Sequence, residues 1–538
     1  MTDATLDAPA GPSASTAPRP LNLGDVIEAM ADAVPDRVAI FTADRTWSYA
    51  EVDERSTRLA NHLVSLGVRP GDHVAVHAPN RIEWVDAFYG CLKARAVPIN
   101  INYKYLRDEL AYLYDNADCV AAIVAPEYVD SLRALDLPQL RQVVVLGQEY
   151  DAALAAASTE RLDNGRSADD HYVIYTGGTT GKPKGVVWRN EDIMKAALNA
   201  ARYGAPLESV EQLATEAAAN ESPMVLLACG PMMHGGSQWI MGNGHVAGQT
   251  VALYTDRNFD AASILDLVEK ARVVSLTFLG DAMGRPVAEA ILAEPDRWDL
   301  SSLAAVSNGA APLSEGVREE IRRALPGRFI LDSYGASESG AAGSQVDDGS
   351  SGPLGAPKFG VGPDVEVFDT DLKPCPPGVD GMLARSGPVP LGYYKDPEKT
   401  AATFKEIDGV RWVIPGDFAR REDDGTVTVL GRGSVCINTG GEKVHPEEVE
   451  AVLLRHEDVF DAVVVGTPHE RWGQQVTALV HRRDGSQVTA EDLRDHCHEL
   501  IANYKVPKTI LFVDEVPRTP VSKVDYPASA RLAADLLG

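Results

Sequence analysis

Residues 175–186 read Tyr-Thr-Gly-Gly-Thr-Thr-Gly-Lys-Pro-Lys-Gly-Val (YTGGTTGKPKGV), and they follow a short apolar run at 172–174 that predicts a β-strand. Glycine lets the backbone bend so that successive N–H groups point into one concavity, threonine hydroxyls donate hydrogen bonds, and lysine neutralises negative charge. A loop that concentrates these residue types therefore predicts a binding site for an oxyanion such as a phosphate group.

This loop differs from the Walker A loop of P-loop NTPases at two required positions. If Gly181 and Lys182 are aligned with the Gly-Lys pair of that motif, its first glycine should stand at position 176, where this chain has threonine. The residue after the lysine should be serine or threonine, and it is Pro183. We therefore expect a phosphate-binding loop of another kind.

Short apolar strands alternate with helical patterns on both sides of the loop. Ser48 and Glu51 predict a capping box at the start of one helix, and Asn80 is predicted to cap another helix that runs toward Ala94. Further strands are predicted at 38–41, 74–77, 120–124, 224–229, 273–278 and 330–334, and further helices at 106–113, 261–272 and 314–325. This alternation implies parallel sheets with helices on both faces.

The character of the sequence changes after about residue 350. Proline and glycine become frequent, and strands at 365–368 and 426–430 predict a small β-rich part. Beyond it, helices are predicted at 446–455 and 490–501 and strands at 462–465, 476–481 and 509–513.

We therefore expect an α/β protein with three segments. Residues 1–20 are expected to be a disordered tail, because they are rich in Ala, Pro, Ser and Thr. Residues 21–432 should form a large N-terminal domain of stacked, mostly parallel αβ sheets with a β-rich subdomain. Residues 433–538 should form a small C-terminal α/β domain.

The composition is that of a globular protein with an excess of acidic side chains. Apolar residues make up 45% of the 538 residues, and 78 Asp and Glu against 50 Lys and Arg give a formal net charge of −28. This charge argues against a nucleic-acid partner and against an anionic membrane surface, because both bind basic faces. An anionic substrate must therefore be met by local positive charge or by backbone N–H groups.

The cysteines and the apolar runs bear on the compartment. Six scattered cysteines, without paired or histidine-rich spacing, disfavour a disulfide framework and a structural zinc site. The longest apolar-leaning run, 224–233, has ten residues, and a membrane span needs about 20. The first 20 residues lack the basic start and apolar core of a signal peptide. We expect a cytoplasmic protein with reduced thiols and no membrane span.

Further motifs follow the glycine-rich loop along the chain. They are 231–234 (PMMH), 307–312 (SNGAAP), 334–338 (YGASE), 415–417 (PGD), 431–432 (GR), 440–443 (GGEK) and 517–523 (PRTPVSK). Together with the loop they resemble the signatures of the AMP-forming acyl- and aryl-CoA synthetases, which are related to luciferase and to the adenylation domains of peptide synthetases. The resemblance covers the whole chain except about the first 20 residues.

The resemblance implies an acid–thiol ligase that depends on ATP and Mg²⁺ and uses CoA as the thiol. The carboxylate of a small-molecule acid would attack the α-phosphate of ATP, giving acyl-AMP and pyrophosphate, and CoA would then take the acyl group. The glycine-rich loop would hold the β- and γ-phosphates. The mobile C-terminal domain would turn about 431–436 between the two steps, exchanging Lys523 for Gly440 and Gly441, which would bind CoA.

The resemblance also implies roles for individual side chains. Lys523 would neutralise charge that develops between the acid and the α-phosphate, and His234 would shape the carboxylate end of the acid pocket. Glu338 would bind Mg²⁺, with the Thr176 hydroxyl beside it. Contacts with ATP or AMP are implied for Thr176, Gly177, Gly178, Thr179, Thr180, Gly181, Lys182, Lys184, Asn308, Gly309, Ala310, Ser333, Tyr334, Gly335, Ala336, Ser337, Asp417 and Arg432.

The implied acid pocket is lined by small and uncharged residues. Its members are His234, Gly235, Gly236, Trp239, Gly309 and Ala310. Such a lining favours a bulky apolar acid, and residues 175–192 and 431–444 look most like actinobacterial synthetases for fatty acids or steroid side-chain carboxylates. Two positions depart from the family pattern, because Val435 replaces the usual hinge Asp or Lys and Ser522 replaces the glycine before the terminal lysine.

Other functions stay open at this stage. An adenylating enzyme that loads a separate carrier protein would share the first half-reaction. An α/β-hydrolase would need Gly-x-Ser-x-Gly, and residues 335–339 end in serine instead. A non-catalytic nucleotide-binding relative is disfavoured, because Glu338, Asp417 and Lys523 are all present. The sequence leaves the oligomeric state open, with a homodimer as one option.

Overall fold

Five β-sheets and the helices between them make up the described part of the computed structural model of the chain. It describes residues 19–178, 181–202, 205–309, 311, 313–348, 358–432, 435, 437–439, 442–469, 473–501, 503–518 and 524–538. Strands and helices alternate through most of this length, so the expected α/β class is confirmed.

The segment before the glycine-rich stretch contains two groups of strands. Its elements are α1 (Leu23–Ala33), β1 (Val38–Phe41), β2 (Thr46–Ser48), α2 (Tyr49–Ser65), β3 (His73–His77), α3 (Ile82–Lys93), β4 (Val97–Asn100), α4 (Arg107–Asn116), β5 (Cys119–Val124), α5 (Val129–Arg133), β6 (Gln142–Val145) and α6 (Gln148–Ala156). Strands β3 to β6 form a four-stranded parallel sheet in the order β4-β3-β5-β6.

The two helix caps predicted from the sequence had different outcomes. The capping box of α2 is confirmed, because the Glu51 N–H donates to the Ser48 hydroxyl at 3.2 Å and the Ser48 N–H donates to the Glu51 carboxylate at 2.8 Å. The cap predicted for α3 was wrong. That helix begins at Ile82 and has no side-chain cap. The amide of buried Asn80 instead donates to the carbonyls of Gly230 and Tyr254.

The next segment builds the largest sheet. Its elements are β7 (His171–Gly178), β8 (Gly181–Arg189), α7 (Asn190–Ala197), α8 (Val210–Ala219), β9 (Val225–Ala228), α9 (Gly235–Val246), β10 (Thr250–Leu253), α10 (Ala261–Ala271), β11 (Ser275–Phe278), α11 (Asp281–Ala293), β12 (Ala305–Asn308), α12 (Glu315–Ala324), β13 (Phe329–Ala336) and β14 (Gly340–Asp347). The strand order is β14-β13-β12-β11-β9-β10-β1-β2. Only the edge strands β2 and β14 pair antiparallel in it.

Residues 358–432 form the predicted β-rich part. Its elements are β15 (Lys358–Phe359), β16 (Val365–Phe368), β17 (Asp380–Arg385), β18 (Gly392–Tyr393), α13 (Pro397–Thr403), β19 (Phe404–Ile407), β20 (Val410–Val413), β21 (Asp417–Arg421) and β22 (Val427–Arg432). All of these strands except β18 lie in one antiparallel sheet, ordered β15-β22-β21-β17-β20-β19 with β16 on β17.

The last part of the chain has a sheet of its own. Its elements are β23 (Ile437–Thr439), β24 (Glu442–Val444), α14 (Pro446–Leu453), β25 (Val459–His469), β26 (Gly473–Arg482), α15 (Ala490–Leu500), β27 (Thr509–Phe512) and α16 (Tyr526–Leu537). The order is β24-β23-β26-β25, with β27 parallel to β26. Val449, Val464 and Ala478 are buried in a core formed within this part.

The glycine-rich stretch, which we expected to be a loop, is largely a β-hairpin. Strands β7 and β8 pair antiparallel from His171 opposite Arg189 to Gly178 opposite Gly181. Strand β18 adds to the other side of β8, which gives the order β18-β8-β7. The ladder satisfies backbone N–H and C=O groups that an open loop would leave to water, and this explains why the strands continue into the motif.

Among the described residues, no helix is both long and apolar enough to cross a membrane.

A buried histidine at the end of β3 links stability to pH. The ring of His77 stacks on Tyr128 with centroids 4.8 Å apart, and its Nδ1 lies 3.2 Å from the Tyr114 hydroxyl. Burial lowers the pKa of His77 from 6.5 to about 4. The unfolded chain therefore binds a proton at this histidine more readily than the folded chain does, so the free energy of unfolding falls as the pH drops through this window.

We expect His77→Phe, which keeps a stacked ring but cannot titrate, to make stability less dependent on pH. Between about pH 7 and about pH 4 the wild-type protein should lose roughly 3 kcal/mol more unfolding free energy than the variant. Urea unfolding at both pH values measures this difference. The exposed His171→Gln variant is the control and should keep the wild-type dependence. Equal losses in wild type and His77→Phe would contradict the prediction.

Candidate active site

The predicted site residues gather where parallel strands end. Asn308 is the last residue of β12 and Ala336 is the last residue of β13. Carboxyl ends of parallel strands meet at one edge of a sheet, where ligands of open α/β folds bind. A Cβ atom on Gly235 would lie 2.7 Å from Ile174 and 3.8 Å from the Ser337 hydroxyl. The hairpin, the start of α9 and the turn after β13 therefore come together.

The amide of Asn308 is engaged inside the protein. Its Nδ2 donates to the Ala311 carbonyl at 3.1 Å and to Asp332 Oδ1 at 3.0 Å. Its Oδ1 accepts a hydrogen bond from the Gly280 N–H at 2.9 Å. We therefore assign Asn308 to positioning the turn that carries Gly309, whose own contact with a nucleotide stays a prediction.

The hairpin presents two lysines with different partners. Exposed Lys182 places its Nζ 4.5 Å from the centre of the Tyr112 ring. Lys184 pairs with Thr176 across the ladder, and its Nζ lies 2.5 Å from Asp396 Oδ2. The hydrogen bond from Lys184 lowers the pKa of Asp396, which keeps this carboxylate charged. The cation expected to meet phosphate is thus paired with a carboxylate within the protein.

The turn after β13 is held by β8 and β18. The indole N–H of Trp188 donates to the Ser337 carbonyl at 2.9 Å. Half-buried Glu338 follows in this turn, and its Oε1 accepts a hydrogen bond from the Tyr393 hydroxyl at 2.9 Å. Neither Trp188 nor Tyr393 was assigned to the site from the sequence, because an isolated aromatic residue in a strand predicts only packing.

The expected Mg²⁺ ligands, Glu338 and Thr176, carry the hard oxygen donors that this ion prefers. A series of contacts links the two residues. Thr176 pairs with Lys184 across the ladder, and the Lys184 Nζ lies 5.7 Å from the centre of the Tyr393 ring, whose hydroxyl donates to Glu338. Among the described residues, no group of three or more His, Cys, Asp or Glu side chains could hold a metal. The one carboxylate of Glu338 and the one hydroxyl of Thr176 are donors that fit Mg²⁺, which commonly binds through one or two carboxylates together with substrate phosphates.

The residues expected at adenine and ribose are in contact with each other. The Tyr334 hydroxyl donates to Asp417 Oδ2 at 2.8 Å, and the Tyr334 ring centre lies 5.6 Å from that of Phe359. A Cβ on Gly335 would lie 2.3 Å from the Gly340 carbonyl oxygen, so the chain needs glycine beside Tyr334. The structure thus brings the predicted adenine platform and the predicted ribose acceptor together, while their contacts with a nucleotide stay predictions.

The other predicted residues fall into two groups. Gly177, Gly178 and Gly181 belong to the hairpin strands, Ser333 lies on β13, and the backbone of Arg432 pairs with that of Asp417. Thr179, Thr180, Ala310, Gly440, Gly441 and Lys523 lie outside the residues that the structure describes.

The predicted acid pocket includes the start of α9. His234 directly precedes this helix and is half-buried, as is Trp239 one turn into it. A Cβ on Gly236 would have the Leu279 side chain as its nearest neighbour, at 3.9 Å. There is thus room at Gly236, in agreement with a lining of small residues.

Asn80, which was wrongly expected to cap α3, instead holds the segment between β9 and α9. Its Nδ2 donates to the carbonyls of Gly230 at 3.0 Å and Tyr254 at 2.9 Å. Its Oδ1 accepts from the Met232 N–H at 2.6 Å. The amide thereby joins the four-stranded sheet to the segment that leads into the acid pocket.

Asn100, at the carboxyl end of β4, connects that same segment to the hairpin. Its Nδ2 donates to the carbonyls of Met233 at 2.7 Å and Tyr175 at 2.9 Å, and its Oδ1 accepts from the Tyr175 N–H at 2.8 Å. Asn100 is buried, with 5% of its surface exposed. Asn100 was not predicted from the sequence, although an asparagine that ends an apolar strand is a polar group at the edge where ligands bind.

Comparisons with known proteins agree with this geometry. Residues 27–394 match the AMP-binding enzyme family, and residues 448–523 match the AMP-binding enzyme C-terminal domain. A 3-oxocholest-4-en-26-oate–CoA ligase from Rhodococcus rhodochrous is 43% identical over 528 residues, covering 94% of this chain and 95% of that protein. A medium/long-chain-fatty-acid–CoA/3-oxocholest-4-en-26-oate–CoA ligase from Mycobacterium marinum has the same identity and coverage.

A solved structure shows the same arrangement of elements. The crystal structure of ATP-bound MatB from Rhodopseudomonas palustris superposes with a TM-score of 0.82 at 26% sequence identity, covering 96% of this chain and 100% of that one. The likeness extends over both the large and the small sheet-containing parts.

The hydrogen bonds of Asn100 predict that Asn100→Asp is strongly destabilising. The carboxylate keeps an acceptor for the Tyr175 N–H but turns an oxygen toward the carbonyls of Tyr175 and Met233. We expect a loss of about 2–5 kcal/mol in unfolding free energy, measured by urea unfolding at neutral pH. Asn220→Asp is the matched control. Asn220 Oδ1 accepts a hydrogen bond from the Ser222 N–H, and a carboxylate oxygen can accept the same bond. Equal stability of the two variants would refute the role of Asn100.

Proposed function

Because this chain belongs to the AMP-binding enzyme family and is an AMP-forming acyl-CoA ligase like its relatives, we propose that it activates a fatty acid or a steroid side-chain carboxylate. The observation that carries the proposal is the meeting of the hairpin, the Glu338 turn and the Tyr334–Asp417 pair at the strand ends. ATP is a single molecule, so the groups that bind its phosphates, its metal ion and its ribose must lie within the length of that molecule from one another.

In the first half-reaction a carboxylate oxygen of the acid attacks the α-phosphorus of ATP. The bond from that phosphorus to the bridging oxygen breaks, and pyrophosphate leaves with the electron pair. We propose that the glycine-rich hairpin, which carries Lys182 and Lys184, holds the β- and γ-phosphates and that Lys523 neutralises charge on the reacting oxygens. Mg²⁺ held by Glu338 and Thr176 would supply further stabilisation of phosphate charge.

In the second half-reaction the thiolate of CoA attacks the acyl carbon of acyl-AMP. The bond from that carbon to the phosphate oxygen breaks, which releases AMP and leaves the thioester. We propose that residues 433–538 turn about 431–436 between the steps, so that Lys523 withdraws and Gly440 and Gly441 approach the pantetheine arm. One small unit can then serve both half-reactions at a fixed site.

The choice of acid rests on the pocket and on the relatives. A Cβ on Gly236 or Gly309 would meet its nearest neighbour only at 3.9 or 3.7 Å, so both positions leave space beside the strand ends, which suits a bulky apolar acid better than a small charged one. The relatives from Rhodococcus rhodochrous and Mycobacterium marinum are named as ligases of a steroid side-chain acid, the second also of fatty acids. We propose the same two classes for this chain.

We also propose a cytoplasmic location and a homodimeric assembly. Cys91, Cys119, Cys229, Cys375 and Cys497 are free and buried, which fits a reducing compartment. Light scattering of the purified protein tests the assembly.

ATP–pyrophosphate exchange across a panel of carboxylic acids tests the substrate proposal. We expect exchange with long-chain fatty acids or steroid side-chain acids and little with short-chain or aromatic acids, because an apolar pocket gains affinity with each methylene it buries. Addition of CoA should yield AMP and the thioester. Exchange without conversion by CoA would instead point to an enzyme that loads a carrier protein, and exchange only with short or aromatic acids would overturn the acid assignment.

The proposed turn of the small unit predicts that Lys523→Ala separates the two half-reactions. We expect acyl-AMP formation to fall by roughly a hundredfold or more, because one preorganised charge at the reacting oxygens is lost. Thioester formation from supplied acyl-AMP should change little. Lys508→Ala, which removes an exposed lysine from the same part of the chain, serves as the control. Equal loss of both half-reactions in Lys523→Ala would contradict the two-position mechanism.

A further inference from the structure

We propose that Tyr393 is a positioning residue for acyl-AMP formation, because its hydroxyl fixes the Glu338 carboxylate in the orientation that binds the metal ion on ATP. This inference rests on the proposed function, which takes Glu338 as the metal ligand. Tyr393 lies outside every motif that the sequence analysis used, and it reaches the site through strand β18.

The Tyr393 side chain is itself held rigidly. Its backbone pairs with Val186 of β8, and its N–H donates to the Thr400 hydroxyl at 2.9 Å. Its ring is buried and meets the Phe404 ring edge-on, with centroids 6.0 Å apart and planes at 70°. A buried aromatic ring has few rotamers available. The hydroxyl therefore has a defined position relative to the hairpin.

Glu338 benefits from such a partner because, among the residues that the structure describes, the other hydrogen bonds of this turn hold its backbone. Trp188 donates to the carbonyl of the residue before it, and Arg385 donates to the Ser339 carbonyl after it. The side chain between these anchors is half-buried and rotates about three bonds, so holding one rotamer costs about 1–2 kcal/mol of conformational entropy. The hydrogen bond from the Tyr393 hydroxyl to Oε1, at 2.9 Å, favours one orientation of the carboxylate.

The hydrogen bond also leaves the carboxylate able to bind a cation. A carboxylate has about four lone-pair sites, and Tyr393 occupies one of them. The nearby cation is held elsewhere, because Lys184 pairs with Asp396 at 2.5 Å. The Glu338 carboxylate and the Lys184 ammonium group thus have separate partners, because Tyr393 of β18 holds the first and Asp396, which follows β18, holds the second.

The neighbouring tyrosine provides a matched control. Tyr394 directly follows β18, and its hydroxyl donates a hydrogen bond to Asp118 Oδ2 at 2.9 Å. Both tyrosines therefore donate to a carboxylate. Asp118 lies between α4 and β5 and belongs to none of the predicted site motifs. Tyr394→Phe therefore removes the same atom from the adjacent residue without touching Glu338.

The test compares Tyr393→Phe with Tyr394→Phe in the full-length protein. We expect Tyr393→Phe to lower kcat for ATP–pyrophosphate exchange by about 10- to 100-fold, the range for a lost hydrogen bond to a charged group, and to raise the Mg²⁺ concentration needed for half-maximal exchange. KM for the acid and thioester formation from supplied acyl-AMP should stay within about twofold of wild type. Tyr394→Phe should match wild type in all four measurements.

A binding measurement separates positioning from a loss of folding. We expect calorimetry to show weaker ATP binding by Tyr393→Phe at limiting Mg²⁺, equal ATP binding to wild type without Mg²⁺, and an unchanged thermal unfolding midpoint. If Tyr393→Phe resembles Tyr394→Phe in Mg²⁺ dependence and exchange, the positioning role is overturned.

Glu338→Gln distinguishes this failure from a failure of the proposed function. If Glu338→Gln abolishes exchange while Tyr393→Phe does not reduce it, only the role of Tyr393 fails. If Glu338→Gln keeps full exchange, the assignment of Glu338 as metal ligand fails and the inference fails with it. The double variant should be no slower than Glu338→Gln alone, because the hydroxyl acts through that carboxylate.

Discussion

The site depends on the hydrogen-bonded ladder that joins β18, β8 and β7 into one small sheet. This sheet carries Lys184, which is expected to meet phosphate, and its Trp188 anchors the turn that follows β13. Through β18 it also supplies Tyr393 to Glu338. Asn100 ties the beginning of the motif to the four-stranded sheet. Because one backbone ladder carries both Trp188 and Tyr393 and is tied to the four-stranded sheet through Asn100, it fixes where these side chains stand relative to the turn after β13.

Most of the fold could be predicted from the sequence because it follows from local patterns. Apolar periodicity located the predicted strands and helices within a few residues, although it left others unassigned, such as β4 and α9, and the capping box at Ser48 needs only residues of one helical turn. The order of strands within the sheets could not be predicted, because it depends on contacts between distant segments. The cap at Asn80 was wrong for the same reason. The carbonyls of Gly230 and Tyr254, 150 and 174 residues away, compete for its amide.

Candidate site residues could be named from the sequence where chemistry restricts the residue type, and their contacts with ATP stay predictions; residues beside them were missed where only geometry restricts the position. A phosphate cradle needs glycine and lysine, and a ribose acceptor needs a carboxylate, so Lys184 and Asp417 stood out. Tyr393 and Asn100 are common residue types that function through partners 55 and 75 positions away in sequence. The hairpin itself was expected as a loop, because its glycines and threonines suggest a turn while its ladder depends on the pairing of the whole of β7 with β8.

The contacts between the large part and the last sheet suit a unit that is proposed to turn. Glu320, on α12, accepts hydrogen bonds from Arg285 at 3.1 Å and from Arg483 of the small part at 3.2 Å. Arg285 also lies 5.2 Å from the centre of the partly exposed Phe460 ring. The Arg483 side chain is 34% exposed, so on leaving Glu320 it can exchange this carboxylate for water, which lowers the cost of separating the pair. Because Arg285 already compensates the buried carboxylate, release of Arg483 would leave no unpaired charge in the large part. The ladder around the phosphate hairpin would then stay intact while Lys523 and Gly440–Gly441 exchange places, so a fixed site and a movable unit are compatible in one chain.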